Sequence, residues 1–244
     1  MGKWALDYGA SRCVLSHAYA GGGKTLSMGL QPSLMNGYGV VILLLPQGMA
    51  IKMPFGTAAI TLPSGERFEG AYASKTLADE QGRAVRIDVE DKAFVGMLMA
   101  TNISISLEDA VLPPLALNAT PKTVKALKSC REAQMTKWGV DLATVAKTAT
   151  PAEAIAPASW ISTDDYPTDA VRAGKEGTTA MLLTIGVTGA ITDCRVIQTS
   201  GSESLDSATC RAFLRRARYT PAKDKDGAPV IAWDEKKVNW TLPQ

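Results

Sequence analysis

The chain has 244 residues, of which 46% are hydrophobic and 20% charged, which suffices for one large domain or two small ones with a buried core. Its 26 Lys and Arg residues and 24 Asp and Glu residues give a formal charge of +2. This balance, with only 6% aromatic residues, argues against a nucleic-acid-binding protein. The single histidine, His17, excludes any site that needs two histidine ligands.

The first part of the chain has the pattern of short β-strands. Apolar or alternating runs are separated by Gly, Pro and Asn, as in strands joined by turns. The runs cover residues 13–15, 25–28, 40–45, 58–62, 84–89 and 103–107. Regular spacing of short strands favours a small sandwich or barrel. We therefore predict a mostly-β domain over residues 1–140, with one helix at its C-terminal end.

That helix has clear start and stop signals. Thr120 is a natural N-cap, Pro121 suits the first helical position, and Gly139 suits the end. A helix that completes a β domain usually packs on a sheet face. This packing would bring Cys130 of the helix near an early strand such as the one that contains Cys13.

The chain changes character twice after this helix. Residues 141–159 are rich in Ala, Thr and Pro and lack a clear period, so we interpret them as a linker. Residues 160–244 predict helix, strand, strand, helix and strand in that order, with the last strand between Val230 and Leu242. The fold class is therefore α+β, with a β domain followed by a smaller α+β domain.

No segment predicts a catalytic, metal or cofactor site. The run Gly21-Gly22-Gly23-Lys24-Thr25 lacks the first glycine and the following helix of a phosphate-binding loop, and we interpret it as a hairpin turn. Cys13 and His17 would lie too far apart on one strand to form a nucleophilic pair. Adjacent carboxylates such as Asp164 and Asp165 are common at helix starts. We expect no enzyme activity, no metal and no cofactor.

Arginines form a basic stripe on the last predicted helix. Arg211 and Arg215 lie four residues apart on one helix face, and Arg218 adjoins them. The stripe is either a solvated helix face or a surface for an anionic partner.

The four cysteines are Cys13, Cys130, Cys194 and Cys210, and none forms a CxxC motif. Four free buried thiols and two disulfides are both compatible with this spacing. A strand and the helix that follows it can bring Cys194 and Cys210 to the ~5.5 Å between Cα atoms that a disulfide requires. One disulfide in each domain, Cys13–Cys130 and Cys194–Cys210, would account for all four in an oxidising compartment.

Short motifs follow one another in a characteristic order in the C-terminal third of the chain. They are Asp165-Tyr166-Pro167, Gly177-Thr178, Asp193-Cys194-Arg195-Val196, Thr199-Ser200-Gly201, Ala208-Thr209-Cys210, the run from Arg216 to Ala222, and Val238-Asn239-Trp240. Together they resemble the C-terminal domain of TonB, the energy transducer of Gram-negative bacteria. The cysteine-containing form resembles TonB-like proteins of alphaproteobacteria, which supports the pair Cys194–Cys210. The first 140 residues carry no comparable resemblance.

The resemblance implies a periplasmic, non-enzymatic protein of the cell envelope with a sheet packed by two helices. It also implies that the last strand pairs with an extended segment of a protein partner, such as a TonB-dependent outer-membrane receptor, in energy-dependent transport. The partner-binding residues would then be Trp233, Val238, Asn239 and Trp240. Self-pairing of the same strand edge would instead give a homodimer.

Three further hypotheses are compatible with the sequence. The arginine stripe could make the protein a cell-envelope module that binds peptidoglycan or another anionic polymer. An enzyme site could lie in the N-terminal β domain. A membrane anchor or a signal peptide could lie outside the given sequence.

Overall fold

The computed structural model of this protein describes residues 3–9, 12–21, 23–35, 38–49, 51, 53–77 and 82–242. The protein is α+β, with a β-rich N-terminal region and few helices. Its chain divides into two compact units, residues 1–132 (unit 1) and residues 133–244 (unit 2). The division falls within a helix, Pro121–Lys137, close to where the sequence predicts the end of the first domain.

Unit 1 consists mainly of antiparallel strands. In chain order its elements are β1 (Ala5–Tyr8), β2 (Cys13–Gly21), β3 (Lys24–Pro32), β4 (Tyr38–Pro46), β5 (Phe55–Thr61), β6 (Arg67–Thr76), β7 (Gly82–Glu90), α1 (Asp91–Met99), β8 (Asn102–Leu107), β9 (Ala110–Val111), β10 (Leu115–Ala116) and α2 (Pro121–Lys137). Among the described residues these strands form one sheet in the order β1-β2-β3-β4-β7-β6-β5-β8-β10, with β9 beside β8.

Each predicted strand run coincides with an observed strand, with only Leu62 falling just beyond the end of β5. The alternation of these runs matches the pleat of a half-buried sheet. In β7, Val85, Ile87 and Val89 are buried in the core of unit 1, and the charged residues between them are more exposed. The Lys24 run is part of a hairpin in which Gly21 pairs with Lys24; Gly22 lies outside the described residues.

The two ends of the sheet meet through hydrogen bonds from side chains. The indole of Trp4, just before β1, donates to the Leu117 carbonyl, and the Tyr19 hydroxyl of β2 donates to the Ala116 carbonyl of β10 at 2.8 Å. The sheet of unit 1 therefore curves until its first and last strands lie side by side.

A disulfide attaches α2 to this sheet. Cys13 of β2 and Cys130 of α2 are joined, with their Cα atoms 6.1 Å apart, and both are buried in the core of unit 1. The bond joins two residues that are 117 positions apart in the sequence. It therefore fixes α2, at the end of this unit, to one of the first strands.

Unit 2 contains short elements around a three-stranded sheet. In chain order they are α3 (Leu142–Lys147), β11 (Thr148–Thr150), β12 (Glu153–Ala154), two 3₁₀ turns (Pro157–Ser159 and Thr163–Asp165), α4 (Thr168–Arg172), β13 (Gly177–Ile185), β14 (Ile191–Gln198), α5 (Glu203–Arg216), β15 (Tyr219–Thr220), β16 (Ala222–Asp224), β17 (Pro229–Val230) and β18 (Ala232–Trp240).

Residues 141–159, interpreted from composition as a linker, are structured. The Asp141 carboxylate caps α3 by accepting from the Ala143 backbone at 2.9 Å. The strands β11 and β12 then pair with β16 and β15. Composition gave no sign of these pairings because their partners lie some 70 residues later in the chain.

Two predicted elements of residues 160–244 are divided in the structure. The first predicted helix becomes the 3₁₀ turn Thr163–Asp165 and α4, separated at Pro167, because the residue before a proline favours extended backbone. The last strand is divided at Ile231. The chain there leaves β17, which pairs with β16, and enters β18, which pairs with β13.

Helix α5 packs on one face of the central sheet. Leu205, Ala208, Ala212 and Phe213 of α5 join Met181, Leu183 and Ile185 of β13 in the core of unit 2. A second disulfide connects Cys194 of β14 to Cys210 of α5, with 5.6 Å between the Cα atoms. Sheet and helix are therefore held together by both apolar packing and a covalent bond.

Asp206 of α5 links three parts of unit 2. Its carboxylate accepts hydrogen bonds from the Thr179 hydroxyl (2.7 Å), the Thr199 hydroxyl (2.5 Å) and the Ser200 backbone (2.9 Å). Burial by itself would raise the pKa of Asp206, but these hydrogen bonds to the charged form outweigh it and lower the pKa. The ionised carboxylate therefore stabilises the fold.

We expect Asp206→Asn to destabilise the protein by about 1–3 kcal/mol at pH 7, because an amide presents N–H groups to at least one of the three donors. A group whose pKa is lowered by folding stabilises above its unfolded pKa of about 3.9 and loses that effect as the pH falls through its folded pKa. Urea unfolding of both proteins should therefore show a stability difference that shrinks below about pH 4. A difference that stays constant down to pH 2 would contradict this role.

Candidate partner-binding surface

The central sheet of unit 2 has the order β14-β13-β18. Strand β18 pairs with β13 over its whole length, from Ala232 opposite Ile185 to Trp240 opposite Gly177. Among the described residues no strand pairs with the other side of β18. A nine-residue strand at a sheet edge is therefore available for further pairing.

The turn between β13 and β14 shows which backbone groups of β13 face each neighbour. The Gly186 N–H donates to the Ala190 carbonyl at 2.9 Å, so the backbone groups of Gly186 face β14. The Thr184 carbonyl also faces β14, since it accepts from the Thr192 hydroxyl at 3.3 Å. Because strand backbone groups alternate in direction, those of Ile185 and every second residue back to Gly177 face β18.

The register between β13 and β18 transfers this alternation to the edge strand. The residues of β18 opposite these inward-facing positions are Ala232, Asp234, Lys236, Val238 and Trp240. Their N–H and C=O groups are directed at β13. The intervening residues direct their N–H and C=O groups away from β13: Trp233, Glu235, Lys237 and Asn239.

The side chains of Val238 and Trp240 are buried in the core of unit 2. The Trp240 indole donates to the Thr209 hydroxyl of α5 at 3.0 Å, and its ring meets the Tyr166 ring edge to face at 5.1 Å. These two predicted site residues thus hold the edge strand in place. Residues two apart share one face of a strand. Val238 therefore lies on the same face of β18 as Trp240, which contacts α5.

Trp233 and Asn239 lie on the opposite face of β18. Asn239 is exposed, and its side-chain carbonyl accepts from the Thr178 hydroxyl at 2.9 Å. Trp233 stands opposite Thr184 and is half-buried. Of the four predicted partner-binding residues, these two have both their backbone groups at the open edge and their side chains away from the core.

The charges of β18 are paired with groups of the same unit. Lys236 lies 2.6 Å from the Asp234 carboxylate, which also accepts from the Tyr219 hydroxyl at 2.8 Å. Burial, and then the Asp234 charge, raises the pKa of Tyr219. On the other face Lys237 lies 3.9 Å from Glu235, whose side chain is only 9% exposed. Pairing reduces the repulsion that a row of edge charges would exert on an incoming strand.

The arginine stripe does not present three equivalent charges. Arg215 lies 3.3 Å from the Asp165 carboxylate, and Arg218 donates to the Ala217 carbonyl at 2.7 Å. Arg216 contacts the same Asp165 carboxylate and donates to the Trp160 carbonyl at 2.9 Å. Burial alone would raise the pKa of Asp165, but hydrogen bonds from Arg216 and Ser162 lower it. Part of the stripe therefore holds α5 to the turn before α4.

Residues 163–242 match the family described as the Gram-negative bacterial TonB protein C-terminal. Unit 2 contains a TonB-family C-terminal domain. This match confirms the resemblance of the C-terminal motifs, and it covers about a third of the chain. A comparison of the chain with curated proteins finds no match.

The matched residues of the TonB-family domain begin at the 3₁₀ turn that contains Asp165 and end just after β18. They include the edge strand, the disulfide Cys194–Cys210 and the Asp206 cluster. Strands β11 and β12 lie before the matched residues, although they pair within unit 2. Unit 2 therefore includes two strands that precede the matched residues.

The TonB-family domain has a second edge strand that sequence reasoning missed. Among the described residues β14 pairs only with β13, so it forms the other border of the sheet. The disulfide to Cys210 fixes β14 to α5. The sheet order distinguishes both edge strands from the central strand β13.

In the described part of the chain, the His, Cys, Asp and Glu side chains form no group of three that could hold a metal ion. The helices within these ranges include none long and apolar enough to cross a membrane.

Proposed function

We propose that this protein is a periplasmic partner-binding protein whose TonB-family domain captures an extended protein segment at the open edge of β18. TonB-family domains interact with proteins such as receptors, are associated with the envelope of Gram-negative bacteria, and are in general non-enzymatic. The observation that carries the proposal is the edge itself: nine residues of regular strand that, within the described part of the chain, pair with another strand on one side only. A peptide strand could form main-chain hydrogen bonds along the other side.

The outward backbone groups of β18, such as those of Trp233 and Asn239, would provide the affinity in this complex. Specificity would come from side chains beside the edge, of which Trp233 offers the largest apolar surface. The inward residues Val238 and Trp240 would act by keeping β18 straight and fixed on the helix layer.

The compartment and the transport role belong to the same proposal. Two disulfides fit an oxidising space such as the periplasm. A receptor segment bound at β18 would link the protein to energy-dependent uptake. In this arrangement unit 1 would serve as a separate recognition or spacing module.

The proposal is tested by titrating the full chain with an extended peptide from the periplasmic side of a TonB-dependent receptor. We expect saturable 1:1 binding by isothermal titration calorimetry. The same peptide with alternate backbone nitrogens methylated cannot donate to an edge strand, and should bind at least ~10-fold more weakly. Equal affinity for both peptides would show that binding does not use strand pairing.

A further inference from the structure

A cleft lies in unit 1, where the two ends of the curved sheet meet. Strand β1 pairs only with residues 13–16 of β2, so within the described part of the chain the rest of β2 pairs with β3 alone. At the other end of the sheet β10 pairs with β8. The Tyr19 hydroxyl crosses this seam to the Ala116 carbonyl. Ligand sites are common in the mouths of such curved sheets.

The cleft has a volume of about 330 Å³, at the lower end of the range for small-molecule sites. Its walls come from the ends of β2, β3 and β4 and from the segment before β10. The apolar wall residues that matter most here are Tyr19, Leu26, Met49, Pro113 and Leu115. Leu26 and Leu115 also belong to the buried core of unit 1, so the base of the cleft is rigid and apolar.

One charged residue, Lys24, is present among the described residues that line the cleft. Its ammonium group donates to the Gln47 carbonyl at 2.9 Å, which holds it at the cleft. Gly48 leaves room for this ammonium group, because a Cβ atom at position 48 would lie only 3.1 Å from the lysine nitrogen. An ammonium has three N–H donors, so two are left for a ligand.

We propose that this cleft binds a small apolar molecule with a single anionic group, of the medium-chain carboxylate class. The apolar walls favour a hydrocarbon body, and their small volume excludes a lipid with two chains. The single ammonium group complements one carboxylate, and a charge-assisted hydrogen bond fixes its orientation. Polyphosphates and sugars are disfavoured, since each would bring several polar groups to a wall that offers one charged donor.

The test is isothermal titration calorimetry of the full chain with decanoate, decanol and decylammonium. We expect 1:1 binding of decanoate, weaker binding of decanol and the weakest binding of decylammonium. Lys24→Gln should lower decanoate affinity at least ~10-fold and leave decanol affinity unchanged, because only the charge is lost. Lys125→Gln, at an exposed position on α2, is the matched control and should bind like the original protein.

A second variant tests the position of the ligand. Met49→Trp fills the cleft from its rim and should weaken decanoate and decanol alike. Thermal melts of every variant should stay within a few degrees of the original, which separates lost binding from lost folding. Absence of decanoate binding to the original protein, or a Lys24→Gln effect matched by Lys125→Gln, would overturn the proposal. Unchanged binding to folded Met49→Trp would overturn it as well.

Discussion

Replacing Asn239 with proline should strongly weaken strand addition and leave the TonB-family domain folded. The N–H of Asn239 faces the open edge of β18, so proline removes a donor that a partner strand needs and places its ring in the partner's path. The inward ladder to β13 is retained, because it uses the alternate residues. We expect peptide affinity to fall at least ~10-fold by calorimetry, with a cooperative melt that is only slightly shifted.

Two matched variants separate the backbone effect from other causes. Asn239→Ala removes the same side chain but keeps the N–H, so it should bind within a few-fold of the original protein. Val238→Pro removes a donor that faces β13 and truncates contacts of a buried side chain, so it should destabilise the domain by about 2–4 kcal/mol. Normal peptide binding by folded Asn239→Pro would rule out pairing at this edge.

Removal of the Cys13–Cys130 disulfide should reduce the free energy of unfolding more than removal of Cys194–Cys210. In the chain-entropy model a crosslink across 117 residues contributes about 5 kcal/mol, compared with about 3 kcal/mol for the 16-residue separation of Cys194–Cys210. The double variant Cys13→Ala/Cys130→Ala should therefore lower the melting temperature of unit 1 by roughly 10–20 °C.

Differential scanning calorimetry of both double variants makes the comparison. Cys194→Ala/Cys210→Ala should lower the transition of unit 2 by a smaller amount, and reduction of the original protein should reproduce both shifts. Peptide mapping under non-reducing conditions checks that the pairs are those of the structure. A larger shift on loss of Cys194–Cys210 would contradict the entropic explanation.

Alternation of apolar residues located most strands of unit 1, because these strands have one buried face. It missed β6, in which only Tyr72 among Arg67–Thr76 is fully buried. The inward face of β6 carries Phe68, Gly70, Tyr72 and Ser74. Because two of these four residues are Gly and Ser, the apolar alternation is too weak to detect. Composition also did not reveal the strands within residues 141–159. β11 and β12 form because they pair with β16 and β15, which lie far along the chain.

The edge strand could be predicted in part. The sequence predicted that the final strand binds a partner, but it assigned the same partner-binding role to all four residues: Trp233, Val238, Asn239 and Trp240. Strand period two places Val238 and Trp240 on the face of Ala232, and the structure has all three in the core. The direction in which the backbone groups of β18 point follows from the hydrogen bond of Gly186 at the hairpin turn. No sequence pattern predicts that hydrogen bond.

Residue-resolved amide hydrogen exchange with the receptor peptide bound tests the central proposal most directly. The amides of Trp233 and Asn239 face the open edge and should exchange fast in the free protein. We expect both to become strongly protected on binding, with little change at Ala232, Asp234, Lys236, Val238 and Trp240, whose amides already bond to β13. Protection confined to β14 or to the arginine stripe on α5, with these two edge amides unchanged, would contradict capture at β18.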